Sequence, residues 1–275
     1  MYKKDMISRG ITYFVLIVLF IMVAYPLFWT LSTSLRENWD IFKNPISLPT
    51  QPTFQNYQKV WTLGRFGSYF FNSIIITIVS LLGVLFLSAA AGYGFARYRF
   101  KGSNGLFFLF MLSLVIVPSS IMIAQYRVIT FFGLLNTLTG IILVYLSWTA
   151  YGIIMFRQAF SDIPEDIIDA AVIDGCKEYQ IFYRIAFPLL RPTIATVAIF
   201  TFVWIWNDFI WPLILLQDPS KETITLGIMT QRGQYLSDWA VLTAGLSIGF
   251  LPVLILYFLF QKQFIQGITM GSLKE

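Results

Sequence analysis

Four residues in the last third of this chain carry side chains that could bind a polar ligand: Trp204, Asn207, Asp208 and Trp211. They lie in an apolar stretch at i, i+3, i+4 and i+7, so a continuous helix would place them on one face. Aromatic rings pack against the C–H faces of sugars, and amides and carboxylates bind hydroxyl groups. The pattern predicts part of a sugar pathway, although the tryptophans would also fit a belt at a membrane interface.

Most other chemistry is excluded by what the sequence lacks. It has no histidine, one cysteine (Cys176) and no phosphate-binding GxxxxGK[ST] motif. Histidine-based acid–base catalysis, most metal sites and an internal disulfide are therefore excluded. The sequence predicts no catalytic residue, no metal and no cofactor in this chain, and Cys176 fits an inert small residue.

The composition is that of a membrane protein, because 57% of the residues are hydrophobic and 12% are charged. A soluble domain carries about 25% charged residues. A helix needs about 20 apolar residues to cross the hydrocarbon core, and six stretches are long enough, which predicts an all-α, polytopic fold with six transmembrane helices. The predicted spans are residues 10–34, 69–96, 106–127, 138–160, 193–216 and 240–260, with kinks expected at Pro118 and Pro252.

The distribution of lysine and arginine predicts the orientation. With the N-terminus inside, the inner segments carry more basic residues than the outer ones, so both termini are expected in the cytoplasm. Residues 1–9 then form the N-terminus, 10–262 the transmembrane domain and 263–275 a cytoplasmic tail. The first outer loop, residues 36–68, is either a plain connector or a docking surface for an external partner.

The second span also contains a run of small residues, from Ser88 to Ala96, which predicts close approach of another helix.

Residues 161–192 form the longest polar segment between two spans, and they predict a cytoplasmic loop with its own amphipathic helix. Asp162 and Glu165 have the spacing of a capping box. Glycine destabilises a helix by about 1 kcal/mol relative to alanine, so Gly175 indicates either the helix end or the close approach of another backbone. The expected apolar stripe consists of Pro164, Ile168, Ala171, Val172, Gly175 and Tyr179.

This helix could rest on the membrane or offer a socket to a partner. A membrane-surface helix has a polar face rich in Lys and Arg, whereas this one is mostly acidic. Its small residues also bury little area, which favours the socket.

The loop resembles the EAA loop of ABC importer permeases, in which Glu-Ala-Ala is followed at fixed spacings by Gly, Ile and Leu-Pro. The matching positions are Asp169, Ala170, Ala171, Gly175, Ile185, Phe187 and Pro188. Asp169 stands for the usual Glu, and Phe187 stands for the usual Leu. Residues 96–102, 206–216 and 266–275 also resemble the carbohydrate branch of this family, specifically the second permease of maltose-type importers.

This resemblance implies a six-span type I permease fold, in a prokaryotic cell membrane, with no activity alone. It implies a homologous companion permease, an extracytoplasmic substrate-binding protein and two cytoplasmic ATPases that bind ATP and Mg. It does not imply nucleic acid as a partner. Docking to the ATPases would use Asp169, Ala170, Ala171, Gly175, Ile185 and Pro188, while Gly271, Ser272 and Leu273 would reach between the ATPases unless the tail is only a frayed terminus.

The leading hypothesis is therefore the permease subunit of an ATP-driven sugar importer. In that setting Asp208 either lines the pathway or contacts the companion permease. The alternative is an ion-coupled secondary transporter, which would require several ionisable residues within the spans and an internal repeat. An intramembrane enzyme or a purely structural subunit explains the loop less well.

Overall fold

A computed structural model of the chain describes residues 2–63, 65–234 and 238–272, with side chains over 10–62, 65–230 and 238–261. These residues form helices and contain no β-strand, in agreement with the all-α prediction. The described residues also contain a π-helical turn, Ile181–Ala186, and a 3-10 turn, Pro219–Lys221. The helices are α1 (Tyr2–Ser34), α2 (Asn38–Lys43), α3 (Gln55–Leu63), α4 (Phe66–Arg97), α5 (Ser103–Val115), α6 (Pro118–Phe131), α7 (Leu138–Leu146), α8 (Ala150–Ser161), α9 (Glu165–Ile173), α10 (Glu178–Gln180), α11 (Phe187–Leu189), α12 (Arg191–Asn207), α13 (Ile210–Leu215), α14 (Ile224–Gln234) and α15 (Trp239–Ser272).

Three helices among the described residues are long and apolar enough to cross a membrane: Gly10–Ser34 within α1, all of α4, and Trp239–Gln261 within α15. Three further candidates are bent pairs of helices. The bend is 108° between α5 and α6, 44° between α7 and α8, and 79° between Glu178–Leu189 and α12. The described residues therefore contain up to six candidate spans if each bent pair counts as one, so the number of spans and the side of each terminus stay predictions.

Two of the bends have a local cause in proline. Val117 precedes Pro118 and is extended, with φ −64° and ψ 126°, because the residue before proline is pushed out of the helical region. The kink expected at Pro118 is thus a complete break between two helices. Pro192 lies in the first turn of α12. Backbone N–H groups there have no partner within the helix, so the missing N–H of proline costs no hydrogen bond. Pro252 lies inside α15 without ending that helix.

The described residues form two compact units, one from residues 1–67 and 227–252 and the other from 68–226 and 253–275. The predicted spans do not coincide with these units, because the unit boundaries fall inside α4, α14 and α15.

In the first unit, a buried arginine organises the segment that follows α1. The Arg36 guanidinium lies 2.8 Å from the Asp40 carboxylate and donates to the backbone carbonyl of Asn44. Asn56 donates from its amide to the carbonyls of Ser34 and Arg36, each at 2.8 Å. The first part of the predicted outer loop is therefore a folded segment, not an extended connector.

The second unit has its core in two apolar clusters, and α4 contributes to both. The central cluster comprises Ile76, Ile129, Ile141, Val144, Tyr145, Ile205, Trp211, Leu215 and Leu216. The aromatic cluster comprises Ala89, Tyr93, Phe156, Phe160, Phe182, Ala186, Leu190 and Val197. Helix α4 supplies Ile76 to the central cluster and Tyr93 to the aromatic cluster, so it packs against both.

The small residues near the end of α4 allow the close approach that the sequence predicts, but only on one side. A Cβ built on Gly92 would lie 2.6 Å from the Cβ of Phe156 and 2.9 Å from the backbone N of Arg157. A Cβ on Gly94 would meet nothing within 4 Å. Gly92 therefore lets α4 pack directly against α8, and Gly94 takes no part in this contact.

Gly92→Leu should lower the free energy of unfolding by about 1–3 kcal/mol, because the added side chain must push α4 away from α8. The comparison is the thermal unfolding midpoint of purified protein in detergent, with Gly94→Leu as the matched control. The control should stay close to the wild type. A Gly92→Leu protein as heat-stable as the control would contradict the packing of these two helices.

Candidate functional site

The polar loop contains the predicted helix, α9, but its N-terminus differs from the expected capping box. Pro164 is the residue before the helix, and no side chain caps the first turn. Asp162 instead ends α8 and accepts a hydrogen bond from the Gln158 amide at 3.2 Å. The capping-box prediction is wrong because the residue before a proline avoids the helical region, so Ile163 and Pro164 separate Asp162 from Glu165.

Gly175 ends α9 in a left-handed cap. Its φ is +78°, its N–H donates to the carbonyl of Val172, and the N–H of Cys176 donates to the carbonyl of Ala171, both at 3.0 Å. This pair of hydrogen bonds is the Schellman motif, in which glycine is favoured because it has no Cβ. Of the two explanations for Gly175, the structure therefore shows the helix end. A Cβ at this position would meet nothing within 4 Å.

The apolar stripe of α9 is divided between the interior and the surface. Ile168 and Ala171 are buried against Ile181, whereas Val172 and Tyr179 are exposed. The loop cluster, as we call this buried group, comprises Ile168, Ala171 and Ile181 with the partly buried Ile163, Cys176 and Ile185. The expectation that Ala171 opens a socket for a partner is wrong, because Ala171 packs inside the chain and holds α9 in place.

The surface of α9 is formed by other members of the motif. Asp169, Ala170 and Gly175 are exposed, and the apolar side chain of Ile173 is 85% exposed. Farther along the loop, Pro188 is exposed and Ile185 is half-buried. The exposed side of α9 thus presents an apolar residue beside a small one and an acidic one.

The four candidate pathway residues do not share one helix face. Helix α12 ends at Asn207, Asp208 is extended with φ −68° and ψ 129°, and α13 begins at Ile210. Trp211 lies in α13, is 2% exposed and packs in the central cluster. The pathway prediction is therefore wrong for Trp211. The sequence also predicted one continuous span over residues 193–216, whereas the structure ends the helix at Asn207 and begins another at Ile210.

Pro212 is the sequence signal for this break. In a continuous helix Pro212 could not donate to the carbonyl of Asp208 and its ring would clash there. The break is completed by the Asp208 side chain, whose Oδ1 accepts from the N–H of Ile210 at 3.0 Å. Its Oδ2 accepts from the hydroxyl of the buried Tyr145 at 2.8 Å. Asp208 thus has partners within its own chain.

Three of the four candidates line a cleft of about 550 Å³ in the second unit, a volume within the range of ligand sites. Its walls come from the break between α5 and α6, the break between α7 and α8, and the end of α12. Non-helical backbone is tolerated at membrane depth where it lines a cavity. The lining residues include Ser113, Ile116, Pro118, Ser147, Trp148, Tyr151, Trp204, Asn207 and Asp208.

Two aromatic residues of the cleft were not found by sequence reasoning. Trp148 packs edge-on against Tyr145 at 4.9 Å between ring centroids, and Tyr151 packs edge-on against Trp204 at 5.6 Å. Trp148 lies in the break between α7 and α8, and Tyr151 lies in α8, so no helical spacing relates them to Trp204. The cleft combines aromatic rings with hydroxyl, amide and carboxylate groups, which are the groups that bind sugars.

Comparison with known proteins gives the family. Residues 85–270 match the family described as binding-protein-dependent transport system inner membrane component. The chain belongs to this family. The matched region contains the polar loop and the cleft residues Trp204, Asn207 and Asp208, and it ends just before Gly271.

Relatives of this inner membrane component extend over almost the whole chain. The probable ABC transporter permease protein YurM of Bacillus subtilis (strain 168) is 35% identical over 99% of this chain and 91% of that protein. The diacetylchitobiose uptake system permease protein NgcG of Streptomyces coelicolor is 31% identical over 99% of this chain and 91% of that protein. A crystal structure of a bacterial ABC transporter involved in alginate import contains a chain with the same fold, at TM-score 0.84 and 22% identity over 94% of this chain and 97% of that chain.

Family membership confirms the resemblance drawn from the loop. The protein is a multi-pass inner membrane component of an ABC importer and is not itself an enzyme. For the predicted ATPase-contacting tail, Gly271 and Ser272 end α15, and Leu273 lies outside the described residues.

Gly175→Ala should loosen the end of α9, since a left-handed conformation costs a residue with a Cβ roughly 1–2 kcal/mol. Gly175→Asn should do so less, because asparagine adopts this conformation more readily. Hydrogen exchange of the Cys176 amide, which donates to Ala171 in the cap, measures the difference, with about tenfold faster exchange expected in the alanine variant. Equal exchange in all three proteins would show that the cap does not hold the helix end.

Proposed function

We propose that this chain is one of two homologous membrane subunits of an ATP-driven, binding-protein-dependent importer of sugars or oligosaccharides. The observation that carries the proposal is an exposed surface at the spacing of an ATPase-coupling loop, with Asp169 and Ala170 on α9 and Gly175 in the cap that follows it. The chain has no nucleotide-binding motif of its own. ATP and Mg would therefore be bound by two partner ATPases that dock on this face.

The loop holds α9 firmly enough that a partner bound to α9 could move the loop as a unit. The loop cluster holds one side of α9 through Ile168 and Ala171, and the Schellman cap fixes the end of the helix. The opposite side exposes Ala170, which is small enough to admit another backbone, beside the apolar Ile173. Docking on a surface already in place loses little conformational freedom. Ala171 supports this surface from within, and Ile185 and Pro188 belong to the segment that returns to α12.

The proposed orientation has six spans with both termini and the loop in the cytoplasm. Its support is the excess of Lys and Arg in the inner segments, together with up to six candidate spans. The division into a terminus of residues 1–9, a transmembrane domain of 10–262 and a tail of 263–275 belongs to the same proposal. Within the tail, Gly271, Ser272 and Leu273 would reach between the ATPases.

The cleft is proposed to form half of the sugar pathway. Trp148, Tyr151 and Trp204 supply rings, while Asn207 and Asp208 supply groups that bind hydroxyls. The wall formed by Ser113, Ile116 and Pro118 is exposed, so a homologous companion permease could complete the pathway there. The relative from Streptomyces coelicolor is named for diacetylchitobiose uptake, which supports an oligosaccharide as the cargo. An extracytoplasmic binding protein would deliver it.

An ion-coupled mechanism has less support. Among the residues that line the cleft, Asp208 is the one carboxylate. Secondary transporters need ionisable groups that bind and release the coupling ion. Here the carboxylate stabilises the helix break.

Ala170→Trp should disrupt docking of the ATPases without disturbing the fold, because Ala170 is exposed on α9. We expect a loss of copurifying ATPase and a fall in uptake of roughly tenfold or more, because the indole would keep a partner backbone away from α9; a tenfold fall corresponds to about 1.4 kcal/mol. The measurement is ATP-dependent uptake in proteoliposomes that contain both permeases, the ATPases and the binding protein. Ala170→Ser keeps the residue small and is the matched control.

Normal assembly and uptake in Ala170→Trp would exclude this face as the docking site. If the wild-type complex transports without hydrolysing ATP, the proposed function itself is wrong.

Two tryptophans separate a pathway role from a structural one. Trp204→Ala should lower uptake while the complex stays as stable as the wild type, because Trp204 is exposed in the cleft. Trp211→Ala should instead lower the free energy of unfolding by about 3–5 kcal/mol, because Trp211 is buried in the central cluster. Uptake and thermal unfolding, measured on the same preparations, distinguish the role of Trp204 from that of Trp211. Unchanged uptake in Trp204→Ala contradicts a pathway through this part of the cleft.

A further inference from the structure

One short hydrogen bond connects the polar loop, residues 161–192, to α4. The hydroxyl of Tyr93 donates to Oε1 of Glu178 at 2.6 Å. Tyr93 lies near the end of α4 and is 7% exposed, and Glu178 is the first residue of α10, directly after the cap of α9. A hydroxyl–carboxylate bond of this length is charge-assisted and stronger than a bond between neutral groups. It joins two segments that are 85 residues apart in sequence.

The ring of Tyr93 is held so that its hydroxyl points at Glu178. Phe160 and Phe182 pack edge-on against it, each at 5.1 Å between centroids, and Tyr98 packs at 6.5 Å. The same carboxylate acts on Tyr98, since burial and then the Glu178 carboxylate raise the pKa of Tyr98 above its ordinary value. Glu178 thus lies among tyrosines that belong to α4 and to the turn that follows it.

Residues 178–182 connect this anchor to α9. Ile181 packs in the loop cluster against Ile168 and Ala171 of α9. The next residue, Phe182, packs in the aromatic cluster with Tyr93. Ile181 and Phe182 begin the π-helical turn, a distortion often found at functional positions in helices. If α9 moved, Ile181 would move with it, and so would Glu178 and Phe182, which lie within three residues of Ile181.

From Tyr93, α4 leads toward the cleft. Ile76 of α4 packs in the central cluster with Tyr145, and Tyr145 donates to Asp208 at the cleft wall. A packed path of side chains and one rigid helix thus runs from the loop to the cleft, which is the kind of physical connection that coupling requires.

We propose that Tyr93 is a positioning residue that makes α9 and α4 move together, so that force on α9 passes directly into the second span. The proposal rests on the proposed docking of the ATPases on α9. It adds α4 to the two helices that the chain itself attaches to the loop, α8 and α12. The Tyr93–Glu178 bond is the joint through which α4 follows the loop.

The test uses the whole complex in proteoliposomes and measures sugar carried per ATP hydrolysed. Tyr93→Phe removes only the hydroxyl, and Glu178→Ala removes the carboxylate that accepts its hydrogen bond. Each should lower this ratio roughly tenfold while ATP hydrolysis and assembly persist, since a hydrogen bond to a charged group is commonly worth about that factor. Glu178→Gln keeps an acceptor and should give an intermediate ratio, and the double variant should be no worse than either single one. Tyr183→Phe removes an exposed hydroxyl from the same loop and is the matched control.

The outcomes separate this inference from the function on which it rests. A wild-type complex without ATP-dependent uptake contradicts the proposed function. A coupled wild type with an unchanged ratio in Tyr93→Phe contradicts the joint. Additive losses in the double variant also contradict it, because the two groups would then act separately. Loss of assembly in either single variant overturns it as well, since the bond would then maintain the docking loop instead of transmitting its movement.

Discussion

Pro212 cannot donate a backbone hydrogen bond, and this missing donor decides where the fifth apolar stretch breaks. A helix end among apolar groups must satisfy its free backbone groups from within the protein. Asp208 does so by accepting from the N–H of Ile210, and Tyr145 holds the carboxylate from α7. The break, the burial of Trp211 and the position of Asn207 at the cleft all depend on this arrangement.

The same requirement shapes the loop at the other end of α12. The four C-terminal carbonyls of a helix need partners, and the left-handed Gly175 satisfies two of those in α9 by turning the chain back. That turn delivers residues 178–182 onto α4, where the Tyr93 hydroxyl meets Glu178. A local backbone constraint thereby places the segment that follows α9 against α4.

Much of the loop could be predicted from its residues. The spacing of Asp169, Gly175 and Pro188 indicates the family, and the apolar period of residues 164–179 predicts α9. The start of the helix could not be predicted from the Asp162 and Glu165 spacing alone, because Pro164 prevents the conformation that the motif needs. Periodicity likewise shows that α9 has an apolar side, but cannot show that Ala171 faces the chain while Val172 faces solvent.

The sequence by itself determined a membrane-embedded helical protein with a loop that resembles the EAA loop of ABC importer permeases, because composition, span length and motif spacing are local properties of the chain. Only the tertiary structure decided which helices break together and which distant residues meet. Trp148, Tyr151 and Trp204 share a cleft, and Tyr93 meets Glu178, through contacts between segments far apart in the chain. No spacing along the sequence encodes such contacts, because they depend on how closely helices pack, and here that is set by features such as the absence of a side chain at Gly92.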